Sequence, residues 1–392
     1  MKWFWSNTTQ VGFGEGAVIE HLNKFLPSGS KVLCVFGGGS IDKNGAREDV
    51  NKALTDNSYQ HIWCGGIEPN PDYDTCLKIL KQVREYKPDF LLAVGGGSVI
   101  DATKFISLAA MLDENVEPWD LLTRKITPTK AIPLGTILTL PATGSEWNNN
   151  LVISRRSIEA KQSIACQLSY PKFSLLDPRY TLTLPDRQLR NGIYDAMTHC
   201  IDLFLTGQSI PLNDNFIMSV MRELVDISKE IFKKPANIEM HGRLICAASF
   251  ALNQVLYLGK QMCTGIHKIG HQLTVMYGID HGASLAMVSP SFLRHFKKTR
   301  GYLMARCAER VFDIHDGTEE EKIDAFINHL EKWILEIGHV LTVSEYTHQK
   351  VGENDVEKAT KLVMKSMGSK PFGWNQEVTE EIVHDVLTHV IV

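Results

Sequence analysis

Two short apolar runs in this chain end in the same four residues. KVLCVF, Lys31–Phe36, passes into Gly37-Gly38-Gly39-Ser40, and FLLAV, Phe90–Val94, passes into Gly95-Gly96-Gly97-Ser98 ahead of a helical stretch over Val99–Met111. Glycines between a strand and a helix let backbone N–H groups close on a phosphate at the positive end of the helix. Taken singly, such a turn serves a tight chain reversal equally well. Two copies constrain the chain much further, because a dinucleotide needs close backbone approach at its adenosine end and at its pyrophosphate. Neither copy is a G-x-G-x-x-G or a Walker loop, so the usual fingerprints do not apply.

Further β-branched or apolar runs at Ala131–Leu140 and Phe173–Leu176, with a helical pattern over Tyr73–Tyr86, extend the same alternation. Strands separated by helices predict a parallel sheet of βαβ units. A third polar segment, Thr139-Leu140-Pro141-Ala142-Thr143-Gly144-Ser145-Glu146, closes one of these strands and offers hydroxyls at the carboxyl edge of the sheet. From Asp186 the pattern changes to helical periodicity over Phe216–Phe232, His241–Leu258, Phe292–Val311, Glu320–Ile337 and Asp355–Met367. The turn Thr183-Leu184-Pro185-Asp186 separates the two patterns. The expectation is an α/β dinucleotide-binding domain over 1–185, with a Rossmann-like parallel sheet, and an all-helical domain over 186–392 that holds a metal.

The bulk composition narrows the function. With 392 residues, 44% of them hydrophobic, and a net charge of −4, the chain can bury a large core and lacks the basic excess of a nucleic-acid-binding protein. The eight cysteines are scattered without a C-x-x-C, which argues for reduced thiols and against a disulfide framework or a zinc knuckle. No run approaches the roughly 18 apolar residues of a membrane span. The N-terminal Trp3-Phe4-Trp5 is too short for a signal-peptide core, so a cytoplasmic protein is expected.

The helical half carries its own chemistry. Asp195 and His199 are four residues apart in an apolar stretch and share one helix face. His267, His271 and His281 follow in HKIGHQLTVMYGIDH. One carboxylate and several imidazoles in two short regions suit a borderline-soft divalent ion. A capping pair or a hydrogen-bonded core is the plainer alternative. Lys268 stands where a zinc protease of the H-E-x-x-H type has its glutamate, which argues against hydrolysis.

Taken in order, Val11-Gly12-Phe13-Gly14-Glu15-Gly16, the two GGGS turns with GGGSVID ending at Asp101, Glu68-Pro69-Asn70-Pro71, LPATGSE, Leu176-Asp177-Pro178, Asp195-x-x-x-His199 and the later histidine block resemble the iron-containing (group III) alcohol dehydrogenases. The similarity is greatest to their NADPH-dependent aldehyde reductase and butanol dehydrogenase branch. The resemblance implies metal ligands Asp195, His199, His267 and His281, with His271 beside them on the substrate side; His271 or a metal-bound water is expected to relay the alkoxide proton. It implies a cofactor crevice lined by Gly37–Ser40, Asn70, Gly95–Ser98, Asp101, Thr139, Thr143, Ser145, Asn148, Lys161 and Tyr180. It also implies an α/β nucleotide domain followed by a helical domain, and a homodimer. Three imidazoles and one carboxylate suit Fe(II) or Zn(II), and also Co or Ni.

The implied reaction interconverts short- to medium-chain aldehydes, butanal-like, and primary alcohols by hydride transfer. Gly39-Ser40 leaves room for a 2′-phosphate, with Lys43 near in sequence, so NADP(H) is expected over NAD(H); Asp42 counts the other way. Trp147, directly after GSE, either narrows the substrate pocket or packs between domains. Two rival enzymes share the architecture: a glycerol-type polyol dehydrogenase using NAD, and a dehydroquinate synthase-like lyase. The lyase would need a basic cluster for a substrate phosphate, and only Lys260 and Lys268 are at hand.

Overall fold

The alternation of apolar runs and amphipathic helices yields a parallel sheet in the computed structural model, which describes residues 2–392. The strands are β1 (Gln10–Phe13), β2 (Lys31–Phe36), β3 (Gln60–Cys64), β4 (Phe90–Gly96), β5 (Leu134–Leu140), β6 (Asn150–Arg155), β7 (Ala160–Ala165) and β8 (Phe173–Leu176). Six of them form one sheet in the order β1-β8-β5-β4-β2-β3, all pairs parallel, while β6 and β7 make a separate antiparallel hairpin. Along β2, Leu33 and Val35 enter one apolar core and Val32 and Cys34 the other; on β4, Leu91 and Ala93 face the first, Leu92 and Val94 the second. A sheet covered on both faces needs such unbroken apolar runs, which is why β2 and β4 are visible in the sequence.

The chain divides into two units, one formed by Trp5–Pro185 with Lys233–Ser249, the other by Asp186–Phe232 with Phe250–Val392. Within the helical half, Lys233–Ser249 therefore belongs with the sheet. Ile245 joins the core above the sheet. His241 Nδ1 lies 2.9 Å from the Thr181 hydroxyl, and the Ser249 hydroxyl bonds the Glu146 carboxylate. Helical periodicity reports that a face is buried, not what it is buried against.

The second unit is helical, and among the described residues no strand follows Leu176. The continuous helix expected over Phe292–Val311 is two helices, His281–His295 and Lys297–Phe312, meeting at buried Phe296. Both bury apolar faces, so the pattern runs across the break unchanged. The helix Glu319–Glu336 opens on a reciprocal capping box between Thr318 and Glu321.

Candidate functional site

β2 and β4 are neighbours, with Phe36 paired to Val94, so the two GGGS turns leave the sheet side by side. From β2 the chain steps outward to β3 and then crosses to β4 on the other side, which makes this the switch point where open parallel sheets bind ligands. Close approach demands glycine here. A Cβ on Gly37 would stand 2.9 Å from the Ile67 carbonyl, and one on Gly97 2.4 Å from Thr143 Oγ1. At Gly38 a Cβ would meet nothing within 4 Å.

The residues expected to line a cofactor crevice divide into two groups. Asn70, at φ 54°, donates its N–H to Ser98 Oγ (3.2 Å), and its Oδ1 accepts from Lys161 Nζ (2.8 Å) on β7. These three gather beside the Gly95–Ser98 turn. Asp101, Ser145 and Asn148 instead lie buried in a network around Lys104, and Thr139 is buried at the end of β5. Burial pushes the Asp101 carboxyl up to about 6 even with Lys104 beside it, and pulls Lys104 down to about 8. Thr143 Oγ1 accepts from the Ser145 N–H. Tyr180 is 1% exposed and donates its hydroxyl proton to Asp49 (2.7 Å). Its ring packs in the core beneath the sheet's second face, beside Val32, Cys34 and Val94. Trp147 is partly exposed, and its carbonyl accepts from Asn7 Nδ2.

In the helical unit, three elements deliver the metal-type side chains. The helix Asp186–Phe204 is buried from Gly192 onward and carries Asp195 and His199. The helix Gly265–Tyr277 carries His267 and His271 and stops at Gly278, in the left-handed conformation. His281 opens the helix His281–His295, directly after Asp280, which is clamped by Arg187 and Asn191 of the first helix. Gly282 lets this helix start close to the first: a Cβ there would stand 2.3 Å from the Asn191 carbonyl oxygen. Asn191 lies one turn before Asp195, so the close approach brings His281 over that carboxylate.

Nε2 of His199, His267 and His281 stand 3.5, 3.7 and 3.5 Å from Asp195 Oδ1. The mutually close set is Asp195, His267 and His281, with ligand atoms within 4.8 Å of one another; His199 approaches through Asp195 and stacks its ring on His267, centroids 4.9 Å apart. Asp195 Oδ1 and His267 Nε2 are buried and make no hydrogen bond. Donors about 2.1 Å from a tetrahedral centre stand about 3.4 Å apart, so ligand atoms at this spacing fit a shared cation. His271 lies beside the set, buried, its ring centroid 5.2 Å from that of His281.

The charges answer one another. Burial opposes ionisation of Asp195, yet His199, His281 and His267 hold its carboxyl well below the usual range. Burial pulls His199 down to about 4, while His267, despite burial, is raised to about 9 by Asp195 and Asp202.

Asp202 was not among the residues expected from the sequence. It is fully buried and accepts from His267 Nδ1 at 2.6 Å, while its other oxygen makes no hydrogen bond. That bond fixes the His267 tautomer and turns the Nε2 lone pair toward Asp195. The signal was a carboxylate inside the apolar run Cys200-Ile201-Asp202-Leu203-Phe204.

Comparison with known proteins identifies the family. Residues 8–178 match the iron-containing alcohol dehydrogenase family and residues 191–390 the C-terminal region of the Fe-containing alcohol dehydrogenase family. The chain is 39% identical over 340 residues to the NADPH-dependent aldehyde reductase YqhD of Escherichia coli, covering 86% of this chain and 87% of that one. It is 33% identical over 387 residues to a probable NADH-dependent butanol dehydrogenase of Bacillus subtilis, covering 98% of each. The crystal structure of Escherichia coli YqhD superposes with a TM-score of 0.93 at 36% identity, covering 99% of this chain and 98% of that one. This chain belongs to the iron-containing alcohol dehydrogenase family.

Proposed function

We propose that the chain is a metal-dependent, NADP(H)-using oxidoreductase that reduces short- to medium-chain aldehydes, butanal-like, and oxidises the matching primary alcohols. The observation that carries this reading is the convergence of three imidazole Nε2 atoms on the unpartnered Asp195 Oδ1. Asp195, His199, His267 and His281 would hold one divalent ion, Fe(II) or Zn(II), with Co and Ni also suited to these donors. Such an ion, when bound, supplies Lewis-acid stabilisation of negative charge on the substrate oxygen. Asp202 holds His267 in the one tautomer that can serve as a ligand. To His271, buried beside His281, we assign the proton taken up as aldehyde becomes alcohol.

The cofactor is assigned to the Gly37–Ser40 and Gly95–Ser98 turns, with Asn70 and Lys161 beside them. NADP(H) is favoured because Gly39 carries no acidic side chain and because Asp42 is compensated. Asp42 pairs with Arg47, whose guanidinium also stacks on Phe36 (4.3 Å) and Trp63 (4.4 Å). The relatives include both an NADPH-dependent aldehyde reductase and a probable NADH-dependent butanol dehydrogenase, so the choice rests on this chain's own residues. Among the described residues no helix is long and apolar enough to cross a membrane; a cytoplasmic homodimer completes the proposal. Metal-stripped enzyme reloaded with Fe(II) or Zn(II) is expected to regain NADPH-dependent reduction of butanal. Inactivity with every metal would overturn the metal reading, and a higher kcat/KM with NADH would overturn the cofactor choice.

A further inference from the structure

Two turns into the helix Gly97–Ala109, Lys104 has no exposed surface. A lysine there is far costlier to bury than a methionine unless its protons are met by acceptors. All of its acceptors come from one short stretch. The three Nζ protons are shared among Ser145 O (2.7 Å), Ser145 Oγ (2.9 Å), Asn148 O (2.9 Å), Asn148 Oδ1 (3.3 Å) and Asn150 O (2.8 Å). The Ser145 hydroxyl donates its own hydrogen bond to Asp101 Oδ1 (2.6 Å), and Asp101 Oδ2 accepts from the Val152 N–H (2.9 Å). A hydroxyl has one proton, so Ser145 has none left for a phosphate, and each Asp101 oxygen already accepts a hydrogen bond from within this network.

The stretch so held begins where the second GGGS turn needs it. Thr143, at its start, sits against Gly97 closely enough that a Cβ would stand 2.4 Å from Thr143 Oγ1. Any shift of the 143–150 loop therefore changes the surface that the Gly95–Ser98 turn offers. We propose that Lys104, through Asp101 and Ser145, is a positioning residue that sets the loop 143–150 for the dinucleotide, and that Asp101 and Ser145 act beneath the crevice, not as cofactor contacts. This rests on assigning the cofactor to the GGGS turns.

Lys104→Met keeps length and volume and removes every donor. Hydrogen exchange on the cofactor-free variant should show amides of 143–152 exchanging at least tenfold faster, with β4 and β8 unchanged. The Kd for NADPH should rise at least tenfold, and KM for the cofactor should move more than kcat. Either the loop exchange or the Kd staying within twofold of the parent overturns the proposal. Should K104M fail to fold, S145A decides: it removes only the hydroxyl that Lys104 and Asp101 share. Threefold faster loop exchange without cofactor supports positioning. A raised Kd with unchanged cofactor-free exchange marks Ser145 as a direct contact and overturns it. Failure of the cofactor assignment would show separately, as absence of NADPH and NADH binding to the unmodified protein.

Discussion

Asp202→Asn tests the metal centre without touching a ligand. The carboxylate is fully buried, and its one hydrogen bond goes to His267 Nδ1 at 2.6 Å, a length typical of a charge-assisted bond. Such bonds contribute about 1.5–3 kcal/mol each. Asparagine is close to isosteric, but it offers a neutral acceptor, or presents its amide N–H and favours the wrong imidazole tautomer. At about 1.4 kcal/mol per factor of ten, the loss corresponds to roughly 10–100-fold weaker metal binding, the range found when partners of metal-bound histidines are changed. The assay is a competition titration of metal-free protein with Zn(II) or Co(II) against a chromophoric chelator. Thermal unfolding of the metal-free protein is the control: taking one partner from the buried Asp202–His267 pair lowers stability, so the titration is run where both proteins are fully folded. Affinity within twofold of the parent would refute the role given to Asp202.

Three other outcomes follow from the packing. Gly282→Ala puts a Cβ 2.3 Å from the Asn191 carbonyl oxygen, so the start of the His281 helix must move; denaturant unfolding should show a loss of about 1–3 kcal/mol, with substoichiometric metal. Gly97→Ala drives a Cβ into Thr143; the Kd for NADPH should rise severalfold in a fluorescence titration while metal content is unchanged, and an unchanged Kd would contradict the placement of the cofactor. His339 donates to the Arg190 carbonyl, and burial pulls its pKa down to about 4. Between that value and the ordinary one near ~6.5 the unfolded chain takes up a proton that the folded chain refuses, so this contribution is intact above pH 6.5 and drains as pH falls toward 4. At pH 5 the loss is on the order of 2 kcal/mol; urea unfolding of H339Q should be correspondingly less sensitive between pH 7 and 5.

What could be read in the sequence followed how local the physics was. KVLCVF and FLLAV announce themselves because a strand buried on both faces has to be apolar throughout, whereas β3, QHIWC, is an edge strand with only Cys64 buried and looks like a loop. Asp195-x-x-x-His199 was visible because a helix turn sets the spacing. The allegiance of Lys233–Ser249 to the sheet was not, since it depends on partners such as Thr181 and Glu146, 60 and 103 residues away.

Lys104 and Asp202 fall between these cases. Each is a charged residue inside an apolar helical stretch, in ATKFISLA and CIDLF. A charge so placed cannot reach water, and leaving it unpaired would cost several kcal/mol. The sequence therefore already states that each has a partner within the fold. It cannot state which, because the oxygens around Lys104 come from a loop more than 40 residues later and the imidazole facing Asp202 lies 65 residues on. Motif matching passes over both, since neither would touch substrate, cofactor or metal. Asking of every helix-buried charge what neutralises it leads to the residues that hold the reacting ones in place, and the partner's identity then says which part of the site each one serves.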